Sequence, residues 1–206
     1  MLKILGGEFR RRQLGEPPDR VRSRPMPARV KESIFNLLRG WFDDARVLDL
    51  FAGIGTVGLE AVSRGATDVV MVERDREIHS ILEWNIRELG CDDRCRAVKA
   101  DALGPSALAQ APRPVDVAFM DPPYAIMQEE KMVSAVLAQL ERLEPIMADK
   151  AWLVLRTPMA LSEERRSLGC YSGPEIHEYG EDMFVYLYYL DRNVSQTDGQ
   201  GDNHDS

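Results

Sequence analysis

Two short segments carry side chains whose types and spacing could do chemistry together. They are Asp49-Leu-Phe-Ala-Gly-Ile-Gly-Thr-Val-Gly58 and Asp121-Pro-Pro-Tyr124. The first contains Gly53-x-Gly55-x-x-Gly58, a pattern that lets the backbone approach a nucleotide-like ligand closely. Glu73 stands twenty residues after Gly53, placed to accept from ribose hydroxyls. The glycine pattern alone does not separate a nicotinamide cofactor from S-adenosylmethionine. Asp49, four residues before the first glycine, favours the latter: a carboxylate attracts an ammonium or sulfonium and repels a pyrophosphate. The second segment suits an exocyclic amino nitrogen, a poor nucleophile because its lone pair is delocalised into the base. The Asp121 carboxylate and the Pro122 carbonyl could each accept one N–H, Pro123 would keep the turn rigid, and Tyr124 offers a stacking face. The two segments together predict methyl transfer to a base amino group.

Both segments must sit at strand ends. Apolar runs 46–51, 68–73, 94–99, 115–120 and 152–156 read as strands, the third of them weaker. Helical patterns separate them at 57–64, 75–89, 103–110 and 128–143, with Gly65 and Gly90 as stops. An earlier helix is expected over 28–42, with Val30, Ile34, Leu37, Leu38 and Trp41 inward. Segments 174–181 and 183–190 can close the sheet as an antiparallel pair. Alternating strands and helices predict an α/β, mostly parallel sheet covered on both faces, with ligands beyond the carboxyl ends of the strands.

Residues 2–14 read as a short β-hairpin turning at Gly6-Gly7, and 15–27 as an extended segment bearing arginines. The organisation expected is therefore a basic hairpin and arm (1–27), a catalytic domain (28–190) and a disordered polar tail (191–206). The net charge is −8, but residues 1–31 hold nine basic residues against three acids, +6 locally and −14 over the rest. Such a segment can bind phosphates, since salt screens charges beyond about 8 Å. Arg10, Arg11, Arg12, Arg22, Arg24 and Arg29 are the expected RNA contacts.

No apolar run reaches eighteen residues and the N-terminus lacks a signal-peptide pattern, so a cytoplasmic protein is expected, and a monomer. Cys91, Cys95 and Cys170 read as free thiols, and Cys91 and Cys95 have no histidine or second cysteine pair that would make a zinc site, so no metal is expected. Asp101, after the third strand, could accept from an adenine amino group or cap the following helix; the two readings stand even.

The chain resembles the bacterial 16S rRNA guanine-N2 methyltransferases of the RsmD type, class I enzymes that use S-adenosylmethionine. The resemblance runs from about Ile4 to Leu190. It rests on Ile4-Leu-Gly-Gly-Glu-Phe-Arg10, Arg24-Pro25, Arg29-Val-Lys-Glu-Ser-Ile-Phe-Asn-Leu-Leu38 and Val47-Leu-Asp-Leu-Phe-Ala-Gly53. Gly58-Leu-Glu-Ala61, Ser63-Arg-Gly-Ala66, Val72-Glu-Arg-Asp75 and Asp121-Pro-Pro-Tyr124 complete it. It implies a Rossmann-like seven-stranded sheet and guanine N2 of small-subunit rRNA, free or in the assembling 30S subunit, as target. By motif position Asp121, Pro122, Pro123 and Tyr124 would form the catalytic group. Asp49, Gly53, Gly55, Glu73 and Asp101, with the flanking Phe51, Ala52, Arg74 and Ala102, would hold the methyl donor. One departure is visible: Met26, Pro27 and Ala28 stand where the family usually carries two threonines and an acid. Rival readings are an enzyme acting on another RNA, on DNA or on a protein glutamine, a nicotinamide-dependent dehydrogenase, and a non-catalytic RNA-binding module.

Overall fold

A computed structural model describes residues 2–17 and 26–193. Its elements run α1 (Ala28–Leu37), β1 (Arg46–Leu50), α2 (Gly58–Ser63), β2 (Asp68–Val72), α3 (Arg76–Leu89) and β3 (Cys95–Val98). Then follow α4 (Pro105–Ala109), β4 (Val115–Met120), α5 (Tyr124–Met127), α6 (Glu130–Leu143), β5 (Met147–Thr157), α7 (Glu163–Arg166), β6 (Ser172–Glu178) and β7 (Phe184–Asp191). The seven strands form one sheet in the order β3-β2-β1-β4-β5-β7-β6. The first five are parallel, and β7 runs antiparallel between β5 and β6. Strand order reverses between β1 and β4, so the crevice for a ligand lies there.

Strand alternation sorts the interior into two layers. Val47, Met71, Val117, Phe119 and Val154 face the layer of the amino-terminal segment, α1, α2 and α3. Leu48, Leu50, Val70, Ala118, Met120, Leu153 and Leu155 face the layer of α4, α5 and α6. Helix ends follow local chemistry. Asp75 caps α3 by accepting from Glu77 and Ile78 N–H, and Gly90 ends it in the left-handed conformation.

Several expectations need correction. Residues 2–14 do pair antiparallel, but through Lys3 and Gln13, with Ile4 N–H to Arg12 O and Leu14 N–H to Leu2 O. Gly6-Gly7 is therefore not the turn between adjacent strands. The N–H groups of Leu5 and Gly6 go instead to the Glu60 carboxylate at 2.8 Å each, and Glu8 N–H goes to Ser63 O. The expected helix 28–42 stops at Leu37 because Gly40 turns the chain at φ 86°, and Leu37, expected inward, is 44% exposed. Strand β5 begins five residues earlier than expected, at Met147. Pro27 precedes α1 with its carbonyl accepting from Val30 and Lys31 N–H, while Met26 is buried in the core. Two of the three departing positions thus start a helix and fill space. The described part of the tail ends at Asn193, and the remainder, expected to be disordered, lies outside the described residues.

Candidate active site at the β1–β4 crevice

Period-two alternation carries the layer assignment past the strand ends. Asp49 continues Val47, Glu73 continues Met71, Asp121 continues Phe119 and Arg156 continues Val154. Register puts Asp49 beside Phe119 and Phe119 beside Val154. Three acids and one cation therefore gather on one face, at the carboxyl ends of β1, β2, β4 and β5.

The loop after β1 is held at every turn. Phe51 takes φ 64°, a conformation that costs about 1–3 kcal/mol outside glycine and persists only where surroundings enforce it. Ala52 N–H donates to Val72 O, Gly53 N–H to Glu73 Oε2 at 3.0 Å, and Gly58 N–H to Asp49 Oδ2 at 2.9 Å. Gly53 has φ 57° with open space where a side chain would stand, so a ligand can approach its backbone. Gly58 is different: a Cβ there would lie 2.5 Å from the Met71 side chain, so glycine permits close packing of α2 on the sheet. Two further groups pin the loop. Lys31 Nζ donates to Thr56 O at 3.0 Å and Asn85 Nδ2 to Ile54 O at 3.0 Å.

Asp49 is buried, and its carboxyl is pushed up to about 8, chiefly by burial. The Gly58 N–H pulls it back, while the charges of Asp121 and Glu73 push it further. A buried acid whose ionisation two neighbouring carboxylates disfavour suits a cation, which would relieve that repulsion. Glu73 spends one oxygen on Gly53 and the other on Asp75 N–H at 2.7 Å. Each oxygen keeps a second lone pair for a hydroxyl donor. Open space at Gly53, the rim carboxylate of Glu73 and the buried Asp49 suit a ligand that carries hydroxyls and a positive charge, as S-adenosylmethionine does.

Asp101 does not cap α4; Gly104 stands at that position. Asp101 closes a turn instead, its Oδ1 accepting from Leu103 N–H at 3.0 Å. Buried Gln139 fixes this turn from α6 by donating to Ala102 O at 2.8 Å. Ala102 is buried, and Arg74 is exposed at the end of β2. At the β4 end, Pro122 is buried whereas Pro123 and Tyr124 are exposed, with Tyr124 42% accessible at the start of α5. The Asp121 carboxyl lies above its ordinary value: withdrawal from solvent raises it most, and Arg156, ion-paired through Nε to Oδ1, offsets part of that rise.

The arginines divide. Arg10, Arg11, Arg12 and Arg29 are exposed, and Arg12 also donates to Glu88 O on α3 at 2.7 Å. Arg22 and Arg24 lie outside the described residues. Lys31, counted among the basic residues of this region, is buried against Glu60 at 3.1 Å. Beside the start of α3 a cavity of about 630 Å³ opens between Gly15 and the half-exposed Trp84, with Arg76 and Ser80 on its wall.

Sequence reasoning missed Lys31, Glu60, Asn85, Gln139 and Arg156. The first four left one signal, a polar side chain at an inward helical position. Arg156 left none without the β4–β5 register. Among the described residues no group of three His, Cys, Asp or Glu side chains could hold a metal, and no helix is long and apolar enough to cross a membrane. The three cysteines are free thiols.

This sheet, with its Gly-rich loop at β1 and its D-P-P-Y segment at β4, is the Rossmann-like fold of the class I methyltransferases. The chain belongs to the family described as conserved hypothetical protein 95, whose model matches residues 2–188. It is 40% identical over 123 residues to ribosomal RNA small subunit methyltransferase D of Escherichia coli (strain K12), covering 60% of each chain. The match thus spans less than two thirds of that relative's length. The protein of the same name from Haemophilus influenzae is 28% identical over 172 residues, 75% of this chain and 86% of that one. Among solved structures, the yhhF protein of Escherichia coli matches with a TM-score of 0.76 at 30% identity, covering 93% of this chain and 98% of that one. A hypothetical protein of Thermus thermophilus matches with a TM-score of 0.67 at 33% identity, covering 93% and 99%. The family resemblance drawn from the motifs is borne out.

Proposed function

We propose that this chain is a cytoplasmic, monomeric methyltransferase that methylates the exocyclic N2 of a guanine in 16S rRNA, as free RNA or in the assembling small subunit. The observation that carries the reading is the meeting of Asp121 and the Gly53 loop across the β1–β4 crevice, on the same face as Asp49 and Glu73. S-adenosylmethionine supplies an electrophilic methyl group on a sulfonium, whose sulfur keeps the bonding electron pair. The residues of this chain do the rest. Asp49 and Glu73 bind the donor's cationic and ribose parts. Phe51, Ala52, Gly53, Gly55, Arg74, Asp101 and Ala102 line its place. Asp121 and the Pro122 carbonyl accept the two amino hydrogens and hold the nitrogen in line. Their attraction grows as positive charge develops on that nitrogen, which then loses a proton to solvent. Pro123 and Tyr124 shape and stack the base, and the exposed arginines hold phosphates.

The RNA target is supported by the names of the relatives and by the exposed Arg10, Arg11, Arg12 and Arg29. Labelled methyl transfer to rRNA, free 30S subunits and DNA, run in parallel, tests it. Methylation of rRNA or subunits with product N2-methylguanine is expected. Methylation of DNA alone, or calorimetry showing binding of a nicotinamide dinucleotide and not of S-adenosylmethionine, overturns it.

A further inference from the structure

Asp121 stands in a hostile setting for a negative charge. It is largely withdrawn from solvent, and it shares the crevice with other acids: Asp49 on β1 and, behind Asp49, Glu73 at the end of β2. The titratable group that follows on its own segment is Tyr124. Among the described residues one cation, Arg156, faces Asp121. Met120 pairs with Leu155, so the next residues along the two parallel strands are Asp121 and Arg156. Arg156 reaches Asp121 Oδ1 with its Nε, and both side chains are nearly closed off, at 11% and 15% exposure. Oδ2 accepts no protein hydrogen bond among the described residues. One oxygen is thus fixed and the other is left without a protein partner among the described residues.

We propose that Arg156 is a positioning residue that keeps Asp121 ionised at neutral pH and turns Oδ2, the unpaired oxygen, toward the amino group to be methylated. The inference rests on the reading of Asp121 as the acceptor for that group. The pairing has a built-in compromise. A guanidinium next to Asp121 also weakens the carboxylate's pull on positive charge growing at the target nitrogen. The benefit is the ionised form, which a buried carboxylate among other acids loses without a cation. Removing the cation therefore harms turnover most at low pH, where the unaided carboxyl takes a proton. A brace that acted only by packing would cost the same at every pH.

Single-turnover rates on rRNA at saturating S-adenosylmethionine, from pH 6 to 8.5, test this in the wild type, R156Q, R156K and D121A. Because the charge of Asp121 also acts on Asp49, the same series is run in a D49N background, where the difference between profiles isolates Arg156. R156Q is expected to lose about tenfold or more at pH 6, with the deficit shrinking steadily toward pH 8.5. R156K, which keeps the charge, is expected to restore much of the wild-type profile. D121A is expected to be inactive throughout. If D121A stays active, the reading of the site fails. If D121A is dead and R156Q loses the same factor at every pH, or R156K behaves as R156Q does, the site stands and the role of Arg156 is overturned. Affinity for S-adenosylhomocysteine close to that of the wild type certifies that each variant is folded.

Discussion

The two halves of the crevice are built on opposite plans. On the β1 side the loop 51–58 has almost no freedom: Asp49, Glu73, Lys31 and Asn85 each fasten a backbone group of it. On the β4 side, among the described residues, one ion pair holds the Asp121 side chain, and Pro123 and Tyr124 stand in the open. A small cofactor of constant shape gains from a site made in advance, since little ordering is left to do on binding. On the proposed function, a base embedded in RNA has to be swung into place, and an open rim admits it. The contrast teaches that mutations should divide the same way, with donor affinity on one side and turnover on the other.

The largest effect should fall on the open side. Asp121→Ala should abolish most turnover while leaving donor affinity near wild type, and Asp121→Asn should retain a fraction lowered by about 10²–10³. Single-turnover rates and calorimetry on the same preparations would break the contrast if both parameters fell together. Next comes the fastening of the closed side. Glu60 is fully buried and gathers Lys31, Arg64 and the N–H groups of Leu5 and Gly6. Glu60→Ala leaves the Lys31 ammonium buried without its anion, and unfolding in urea should show a loss of about 3–5 kcal/mol. Burial already lowers the Lys31 pKa, which Glu60 counteracts, so the variant's deficit should ease as pH rises and the amine sheds its proton.

Glu73→Ala should weaken binding of S-adenosylmethionine by about 1.5–3 kcal/mol, partly by freeing Gly53, with the rate at saturation less affected. Asp49 offers a subtler test of the same side. Its folded pKa of about 8 lies above that of an unfolded aspartate, so its contribution to stability is full at low pH and is lost as pH rises through 8. Asp49→Asn can still accept from Gly58 and does not ionise. It should flatten the decline of melting temperature between pH 5 and 8 while weakening binding of the cationic donor. A variant that binds the donor as tightly as wild type would remove Asp49 from the donor's charge recognition. The smallest effect is expected at the surface. Replacing Arg10 and Arg11 with Ala should make RNA binding less sensitive to salt, by about one unit of slope for each phosphate no longer held, without touching donor affinity.

The division also marks what could be read from the chain before its structure. Strands β1, β2 and β4 were legible because apolar runs end in chemistry-bearing residues, and α3 because its periodicity sits between a capping Asp75 and a terminating Gly90. The segment 2–14 was misread because Gly6-Gly7 is a strong local turn signal, whereas the partners that decide its course, Glu60 and Ser63, lie more than fifty residues away. The start of β5 was hidden by the polar stretch Ala148-Asp-Lys150, which joins the sheet by pairing Lys150 with Asp191 on β7. Asp101 was undecided between two roles because an Asx turn and a helix cap look alike in sequence. Residue types named the candidates for the site. Register alone could bring Arg156 to Asp121.

The docking of the amino-terminal segment on α2 and α3 sets a schedule for the making of the protein. Residues 2–15 leave the ribosome ahead of their partners Glu60, Ser63 and Asn85, which follow 54 to 70 residues later. At about 5–20 residues per second, the segment waits roughly 3–14 s before it has anything to fold onto. During that interval Ile4, Phe9 and Leu14, which end in the core, have no native shelter. Arg10, Arg11 and Arg12, set between Phe9 and Leu14, give the waiting segment a like charge that opposes its association with other chains.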